Sequence, residues 1–173
     1  MRRATDAEAA AVRAALDGLE RGLADILLEH AGLGCVEREG TRWATLVSPD
    51  VMDLAAGLLA GAEAGGLPLG TLDDEGFHID LQGAVEAARA GAVHRQAVRV
   101  NEKASRLFVY HRDVLGGSIL EYDPRLQPGD FCLVLNPRRE AIGIGEVVGR
   151  FKGTGRAVRP VHDLGAYLRE QDP

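Results

Sequence analysis

The sequence predicts an α+β protein of two domains: an N-terminal α/β domain with helices and an antiparallel sheet over residues 1–95, and a mainly β domain over residues 96–173. Three observations lead to this fold class. Helical and strand patterns alternate in the first half, short strands and glycine turns dominate after Ala97, and the charge changes sign between the halves. Residues 1–97 carry 8 basic and 16 acidic side chains, for a net charge of −8, whereas residues 98–173 carry 12 and 10, for a net charge of +2.

The first predicted element is a long amphipathic helix. Thr5 and Glu8 have the spacing of a capping box, in which each side chain accepts a hydrogen bond from the other residue's backbone N–H. Apolar residues then recur at intervals of three and four positions, namely Val12, Leu16, Leu19, Leu23, Ile26 and Leu27. This stripe predicts one continuous helix that runs to about His30 and ends before Gly32 and Gly34.

A β-hairpin and a second helix are predicted next. Residues 35–38 and 42–47 are rich in strand-forming side chains, and they flank Glu39-Gly40-Thr41, where glycine suits a tight turn. Ser48-Pro49-Asp50 has the composition of a helix start, because serine caps the first turn, proline is tolerated there and the helix dipole favours an acid. The apolar spacing extends this helix to Leu59.

The remainder of the first domain reads as a loop, a strand and a helix. Gly65–Gly70 is rich in glycine and proline and predicts a loop. Residues 77–81 alternate apolar and polar side chains, as in a half-buried strand, and Gln82–Arg89 is helical in pattern. Because both the charge and the secondary-structure pattern change near residues 92–97, we expect the domain boundary there.

The second domain shows short apolar runs between turn residues. Strands are predicted at residues 97–100, 107–110, 131–135, 141–148 and 158–161, and a capped helix is predicted at residues 163–170. Pro128-Gly129-Asp130 and Asn136-Pro137 have turn composition. Closely spaced strands of this kind predict a small barrel or a sandwich.

The composition excludes several classes of protein. With 173 residues, 46% hydrophobic and 27% charged, the chain has a globular balance. Cys35 and Cys132 are the two cysteines, too few for a four-thiolate zinc site or a disulfide scaffold. No signal-peptide pattern and no apolar run of membrane-spanning length is present. We therefore expect a soluble intracellular protein without metal or cofactor.

No catalytic constellation stands out in the sequence. His78 and Asp80 lie on one predicted strand face without a third partner, which favours ordinary surface polarity over acid–base chemistry. The glycines between residues 143 and 155 match neither dinucleotide nor P-loop spacing. The residues alone therefore offer no candidate catalytic site.

The clearest electrostatic feature lies in the second domain. Residues 149–160 contain four basic side chains and no acid, and the basic residues are Arg150, Lys152, Arg156 and Arg159. Arginine and lysine bind phosphates by releasing condensed counterions, and this segment is therefore the predicted RNA-binding site. Arg138 and Arg139, on a turn between strands, are candidates to extend it. Phe151 is a candidate for base stacking, although core packing is the more common role of such a residue.

The second half resembles the PUA domain, the RNA-binding module of pseudouridine synthases and archaeosine transglycosylases. The resemblance rests on the turn-and-strand segment LQPGDFCLVL and the following strand AIGIGEV. It implies that the C-terminal domain is a PUA β pseudo-barrel.

The whole chain resembles the Nip-seven family of large-subunit ribosome biogenesis factors, in an archaeal-type form. The similar segments are Met1-Arg2 with Thr5 and Glu8, Ser48-Pro49, Leu69-Gly70-Thr71, Phe108 to Leu115, Ile142-Gly143-Ile144-Gly145 and the ending VHDLGAYLRE. This resemblance implies a non-enzymatic factor that binds pre-ribosomal RNA and meets assembly proteins through its N-terminal domain. It further implies a cytoplasmic location in an archaeon and a nucleolar one in a eukaryote.

Two alternatives remain open at this stage. The chain could be an RNA-modification enzyme or its PUA targeting module, because PUA domains often accompany catalytic domains. It could also be a PUA-domain factor associated with translation on the small subunit. No membrane or DNA partner is expected under any of these interpretations.

Overall fold

The computed structural model describes residues 1–57, 65–91 and 93–166. The chain forms two compact units, Met1–Ala90 and Gly91–Pro173. The overall class is α+β, as predicted. Within the described residues, no helix is both long enough and apolar enough to cross a membrane.

The first unit contains a five-stranded antiparallel sheet in which the strands follow their order along the chain. The strands are β1 (Arg2–Arg3), β2 (Gly32–Arg38), β3 (Thr41–Val47), β4 (Leu67–Leu72) and β5 (Phe77–Ile79). The helices are α1 (Asp6–Leu19), α2 (Leu23–Leu28), α3 (Pro49–Gly57) and α4 (Leu81–Ala90). Apolar side chains from the helices and the sheet form its core, including Val12, Leu16, Leu23, Val47, Met52 and Leu69.

The single long helix predicted at the start is instead two helices. Thr5 and Glu8 form the predicted capping box at the start of α1. The chain then becomes extended at Glu20, and Gly22 adopts φ +81°, which glycine adopts at no steric cost. Asp17 Oδ1 accepts a hydrogen bond from the Ala24 N–H at 3.1 Å and so caps the new helix. The apolar stripe continues in phase across this break, which is why periodicity alone did not reveal it.

The predicted hairpin is confirmed, whereas the loop predicted after the second helix is wrong. β2 and β3 pair in register around Glu39 and Gly40, whose φ angles of +51° and +77° give the tight turn. The predicted loop was Gly65–Gly70, but residues 67–70 belong to β4 (Leu67–Leu72), which pairs with both β3 and β5. Sheet pairing overrides the local preference of glycine and proline there. The predicted Leu58 and Leu59 of the second helix lie outside the described residues.

The second unit is a six-stranded sheet that curls into a nearly closed barrel, with strand order β7-β11-β10-β9-β6-β8. All neighbouring strands are antiparallel except β6 and β9, which are parallel. The strands are β6 (Ala97–Val100), β7 (Val114–Leu115), β8 (Ile119–Tyr122), β9 (Phe131–Leu135), β10 (Ala141–Val147) and β11 (Arg156–Asp163). The described part of the unit also contains the helix α5 (Glu102–Phe108) and a 3-10 turn at Gly116–Ser118.

The segment predicted as a strand at residues 107–110 is wrong, because it contains the end of α5. The Asn101 side chain accepts a hydrogen bond from the Ala104 N–H at 2.9 Å and starts this helix. Phe108 is fully buried and lies at the centre of the core of this unit. A run of four apolar residues is compatible with a buried strand and with the end of a buried helix, so the pattern alone does not distinguish the two. Here the N-cap at Asn101 favours the helix.

The chain's last predicted helix is only partly described. Asp163, expected at the start of that helix together with His162, is instead the last residue of β11. Its buried Oδ2 lies 3.0 Å from Nδ1 of His111. The rest of the predicted helix, from residue 167 onward, lies outside the described residues.

Candidate nucleic-acid interface

Two predicted RNA-binding side chains lie on an exposed hairpin loop between β10 and β11. We call residues 148–155 the basic loop. Arg150 and Lys152 are exposed there, and neither forms an ion pair with any described residue. The loop contains no acidic residue. The loop therefore carries two cations without a carboxylate partner among the described residues, and both are available to an external anion.

The backbone of the basic loop is held by a neighbouring glycine turn. The N–H of Gly116 donates to the carbonyl of Gly155 at 3.0 Å, and the N–H of Gly117 donates to the carbonyl of Gly153 at 2.6 Å. A Cβ on Gly116 would lie 2.7 Å from the Arg150 carbonyl oxygen, so the two segments approach more closely than any other residue type allows.

Phe151 anchors the same loop from the inside. Its ring lies 4.5 Å from the ring of Tyr122, centroid to centroid, and it packs against the core of the unit. The interpretation of Phe151 as core packing is therefore the one that the structure favours, and base stacking by this ring is not. Because Phe151 is held inward, its neighbours Arg150 and Lys152 remain on the surface.

Arg156 and Arg159 follow the basic loop on β11, but both are engaged in ion pairs. Arg156 Nη1 lies 3.2 Å from a carboxylate oxygen of Asp113, and Arg159 Nη2 bonds to Glu146. Both guanidinium groups are largely exposed. They can still contact a phosphate, but each shares its charge with a carboxylate, so they contribute less positive potential than Arg150 and Lys152 do.

Arg138 and Arg139 do not extend this surface. They lie in the turn between β9 and β10, whereas the basic loop lies between β10 and β11, so the two turns are at opposite ends of β10. Seven strand residues separate them, which corresponds to roughly 20 Å. The structure therefore separates Arg138 and Arg139 from the basic loop, which corrects the expectation that they extend it.

Arg139 belongs to an ionic cluster around Glu121. The Glu121 carboxylate accepts hydrogen bonds from Arg99 Nε at 3.0 Å and from Arg139 Nη2 at 2.9 Å. Nδ1 of His94 lies 3.1 Å from Arg139 Nη1 and 3.7 Å from Glu121 Oε1. Partial burial raises the pKa of Glu121, but the two guanidinium groups outweigh that effect and hold it below its usual range. These neighbours satisfy Arg139 internally. Sequence reasoning missed this cluster, because its members come from three separate segments.

A row of side chains across three strands was also missed. Phe131 of β9, Glu146 of β10 and Arg159 of β11 are directly opposite one another in the register. Residues directly opposite in antiparallel strands project to the same face. Phe131 is 61% exposed, an unusual position for a phenylalanine. Its sequence context, FCLVL, gave no sign of this exposure.

The remaining sequence candidates have structural partners. His78 Nε2 lies 3.1 Å from Asp73 Oδ1, and Asp80 Oδ1 accepts a hydrogen bond from the Gly83 N–H at 2.7 Å, which caps α4. Within the described part of the chain, no group of three or more histidine, cysteine or acidic residues is placed to hold a metal ion.

Comparison with known proteins agrees with the fold of the second unit. Residues 96–172 match the family model described as the UPF0113 PUA domain. A UPF0113 protein of Aeropyrum pernix is 32% identical over 104 residues, which cover 60% of this chain and 56% of that protein. The chain thus spans just over half the length of this relative.

Two solved structures share the fold of almost the whole chain. A conserved PUA domain protein from Thermoplasma acidophilum has a TM-score of 0.64 and 15% identity, covering 99% of both chains. A hypothetical protein from Pyrococcus horikoshii has a TM-score of 0.61 and 16% identity, covering 94% of this chain and 95% of its own. From the family match and the barrel fold, we conclude that residues 96–172 form a PUA domain of the UPF0113 type.

Proposed function

We propose that this protein binds RNA through the basic loop of its PUA domain and acts, without catalysis, in large-subunit ribosome assembly. The PUA domain supports the RNA-binding part of this proposal. The similarity to the Nip-seven family supports the assignment to pre-ribosomal RNA. In this proposal the acidic N-terminal unit meets assembly proteins.

The observation that carries the proposal is the presence on a fixed loop of two exposed cations, Arg150 and Lys152, that form no ion pair with the residues that the structure describes. Hydrogen bonds from Gly116 and Gly117 and the packing of Phe151 hold the backbone in place. A loop that is already ordered loses less conformational entropy when it binds. Arginine can also form two parallel hydrogen bonds to one phosphate and can stack on an unpaired base.

Fluorescence anisotropy with a labelled single-stranded RNA of about 20 nucleotides tests this proposal. If about four phosphates are neutralised, log affinity should fall with log salt at a slope of roughly −3. Arg150→Glu combined with Lys152→Glu should weaken binding strongly, because both contacts become repulsive.

The matched control is Arg95→Glu combined with Arg138→Glu, which changes the net charge by the same amount. Both control residues are exposed and lie outside the basic loop. We expect the control to bind RNA nearly as well as the wild-type protein. Equal affinities of the two double variants would contradict the assignment of binding to the basic loop.

Affinity capture of the tagged protein from its native cells tests the proposed role in large-subunit ribosome assembly. The proposal predicts enrichment of large-subunit precursor RNA and of large-subunit assembly proteins. Enrichment of small-subunit RNA alone, or of RNAs unrelated to ribosomes, would overturn this part and leave RNA binding itself intact.

A further inference from the structure

The row formed by Phe131, Glu146 and Arg159 presents an exposed aromatic ring beside the basic loop. The N–H of Val147 donates to the Asp130 carbonyl at 2.9 Å, and the N–H of Gly129 donates to the Val147 carbonyl at 2.8 Å. These bonds bring the start of β9 against the end of β10, where the basic loop begins. Phe131 therefore lies at the same end of the barrel as Arg150 and Lys152.

Among the described aromatic residues of the unit, only Phe131 and Tyr110 are strongly exposed, and Tyr110 carries a polar hydroxyl group. Phe108 is fully buried, and Tyr122 and Phe151 pack against the core. A phenyl ring has no polar atom, so leaving it 61% exposed costs free energy that burial against a partner would recover. Val148, 39% exposed, directly follows the β10 segment that pairs with the start of β9.

The charges around the ring indicate which partner fits. Glu146 lies between Phe131 and Arg159 in the register, roughly 4.8 Å from each along the hydrogen-bonding direction. Its carboxylate bonds to the Arg159 guanidinium, whose charge is thereby partly balanced. The ring therefore lies next to the Glu146–Arg159 ion pair, and the cations of the basic loop lie at the same end of the barrel. A single ring with cations within reach in this way matches one nucleobase and its phosphates. It is too small for a stable protein interface, which needs about 800 Å² per partner.

We propose that Phe131 is a stacking platform for an unpaired nucleobase, with Arg159 and the basic loop contacting the phosphates next to that base. This inference rests on the proposed RNA binding and names the side chain that recognises single-stranded rather than duplex RNA. Bases in a duplex are stacked on one another, whereas an unpaired base can lie flat on an aromatic ring.

The test compares two probes and three variants. The probes are a fluorescein-labelled single-stranded RNA of about 20 nucleotides and an abasic oligomer of the same length and charge. Phe131→Leu should weaken binding of the RNA about 5- to 100-fold, because leucine keeps apolar area but cannot stack. The same variant should bind the abasic oligomer as the wild-type protein does, and its salt slope should be unchanged.

Phe131→Trp supplies a direct readout of stacking. The indole should retain RNA affinity, and its fluorescence should be quenched by RNA but not by the abasic oligomer. The wild-type protein, which contains only Trp43, gives the background signal. Leu120→Ala removes another exposed apolar side chain, 53% exposed on β8, and should leave the RNA affinity unchanged.

The outcomes separate this inference from the proposed function. If the wild-type protein binds RNA with the expected salt slope but Phe131→Leu binds equally well, stacking at Phe131 is overturned and RNA binding stands. If Phe131→Leu weakens binding of both probes equally, the residue has only a structural role. If the wild-type protein binds neither probe, both proposals fall.

Discussion

Glu8 shows how one carboxylate fixes the start of the first unit. Its two oxygens accept hydrogen bonds from the Arg2 guanidinium at 2.7 Å each, and Oε2 also accepts one from the Thr5 N–H at 2.8 Å. These contacts tie β1 to α1. The hydrogen bonds from Arg2 outweigh the effect of burial and lower the pKa of Glu8 to about 2.

The depressed pKa of Glu8 predicts a pH-dependent stability. Because the folded-state pKa lies below the unfolded value, the stabilisation is present above about pH 4.5 and is lost as the pH falls toward 2. At neutral pH we expect Glu8→Gln to lower the free energy of unfolding by about 2–3 kcal/mol. Urea unfolding followed by Trp43 fluorescence measures this, since Trp43 lies on β3.

The control for this experiment is Glu37→Gln, which removes an exposed carboxylate from β2. Its stability should follow the pH dependence of the wild-type protein closely. If Glu8→Gln and the wild-type protein lose stability in parallel between pH 4.5 and 2, Glu8 is not the titrating group.

The two cysteines should be chemically inert while the protein is folded. Burial raises the pKa of the Cys132 thiol to about 12, and burial also raises that of Cys35. Only a thiolate reacts readily with a disulfide reagent. Titration with Ellman's reagent at about pH 8 should therefore label both thiols quickly in denaturant and slowly in native buffer. Fast labelling of the native protein would show that one thiol is accessible.

At the scale of elements, the glycine turn at Gly116 controls the basic loop. Gly116→Ala would place a Cβ 2.7 Å from the Arg150 carbonyl oxygen and 2.8 Å from the Lys152 nitrogen, so the loop would have to move away. We expect this variant to lose about 1–3 kcal/mol of stability and to bind RNA several-fold more weakly. Denaturant unfolding followed by circular dichroism and RNA anisotropy measure the two effects.

Gly155→Ala is the matched control for this loop variant. Gly155 lies in the same loop, a Cβ there meets no atom within 4 Å, and its φ is not left-handed. Stability and RNA affinity should both stay close to those of the wild-type protein. Equal losses in the two alanine variants would show that the loop tolerates no substitution at all, rather than that the Gly116 contact positions it.

Local signals predicted the elements that local forces determine. Gly40 marked the β2–β3 turn, and the capping box of Thr5 and Glu8 marked the start of α1. The break at Gly22 and the strand β4 were missed. An amphipathic stripe can continue across a change of direction, and β4 depends on pairing with β3 and β5, which no local pattern reports.

The candidate site likewise has features that the sequence shows directly and features that depend on the fold. The positive character of residues 149–160 could be read directly, because it depends only on which residues are neighbours in the chain. The ion pairs of Arg156 and Arg159 depend on which strands pair. The separation of Arg138 from the basic loop follows from the strand between the two turns, whose pattern the sequence does show. The exposure of Phe131 depends on the same register, so an apolar run of five residues concealed it.

At the scale of the whole molecule, a net charge of −6 coexists with a proposed polyanion site. The acidic residues are concentrated in residues 1–97, and surface charges are screened beyond about 8 Å at physiological salt. Counterion release also depends on how many phosphates are contacted, not on the total charge of the protein. An acidic protein can therefore bind RNA if its cations are placed together.

We expect the salt dependence of RNA affinity to depend on the cations of the basic loop and not on the net charge of the protein. Arg150→Gln combined with Lys152→Gln removes two contacts and should make the log–log salt slope shallower by about 1.4. Asp74→Asn combined with Glu75→Gln changes the net charge by two in the opposite direction, at exposed positions of the first unit. Anisotropy titrations between about 50 and 200 mM salt should show an unchanged slope for this second variant. A slope that moved with net charge in both variants would mean that RNA is held by the overall field of the protein, with no phosphate contacts at the loop.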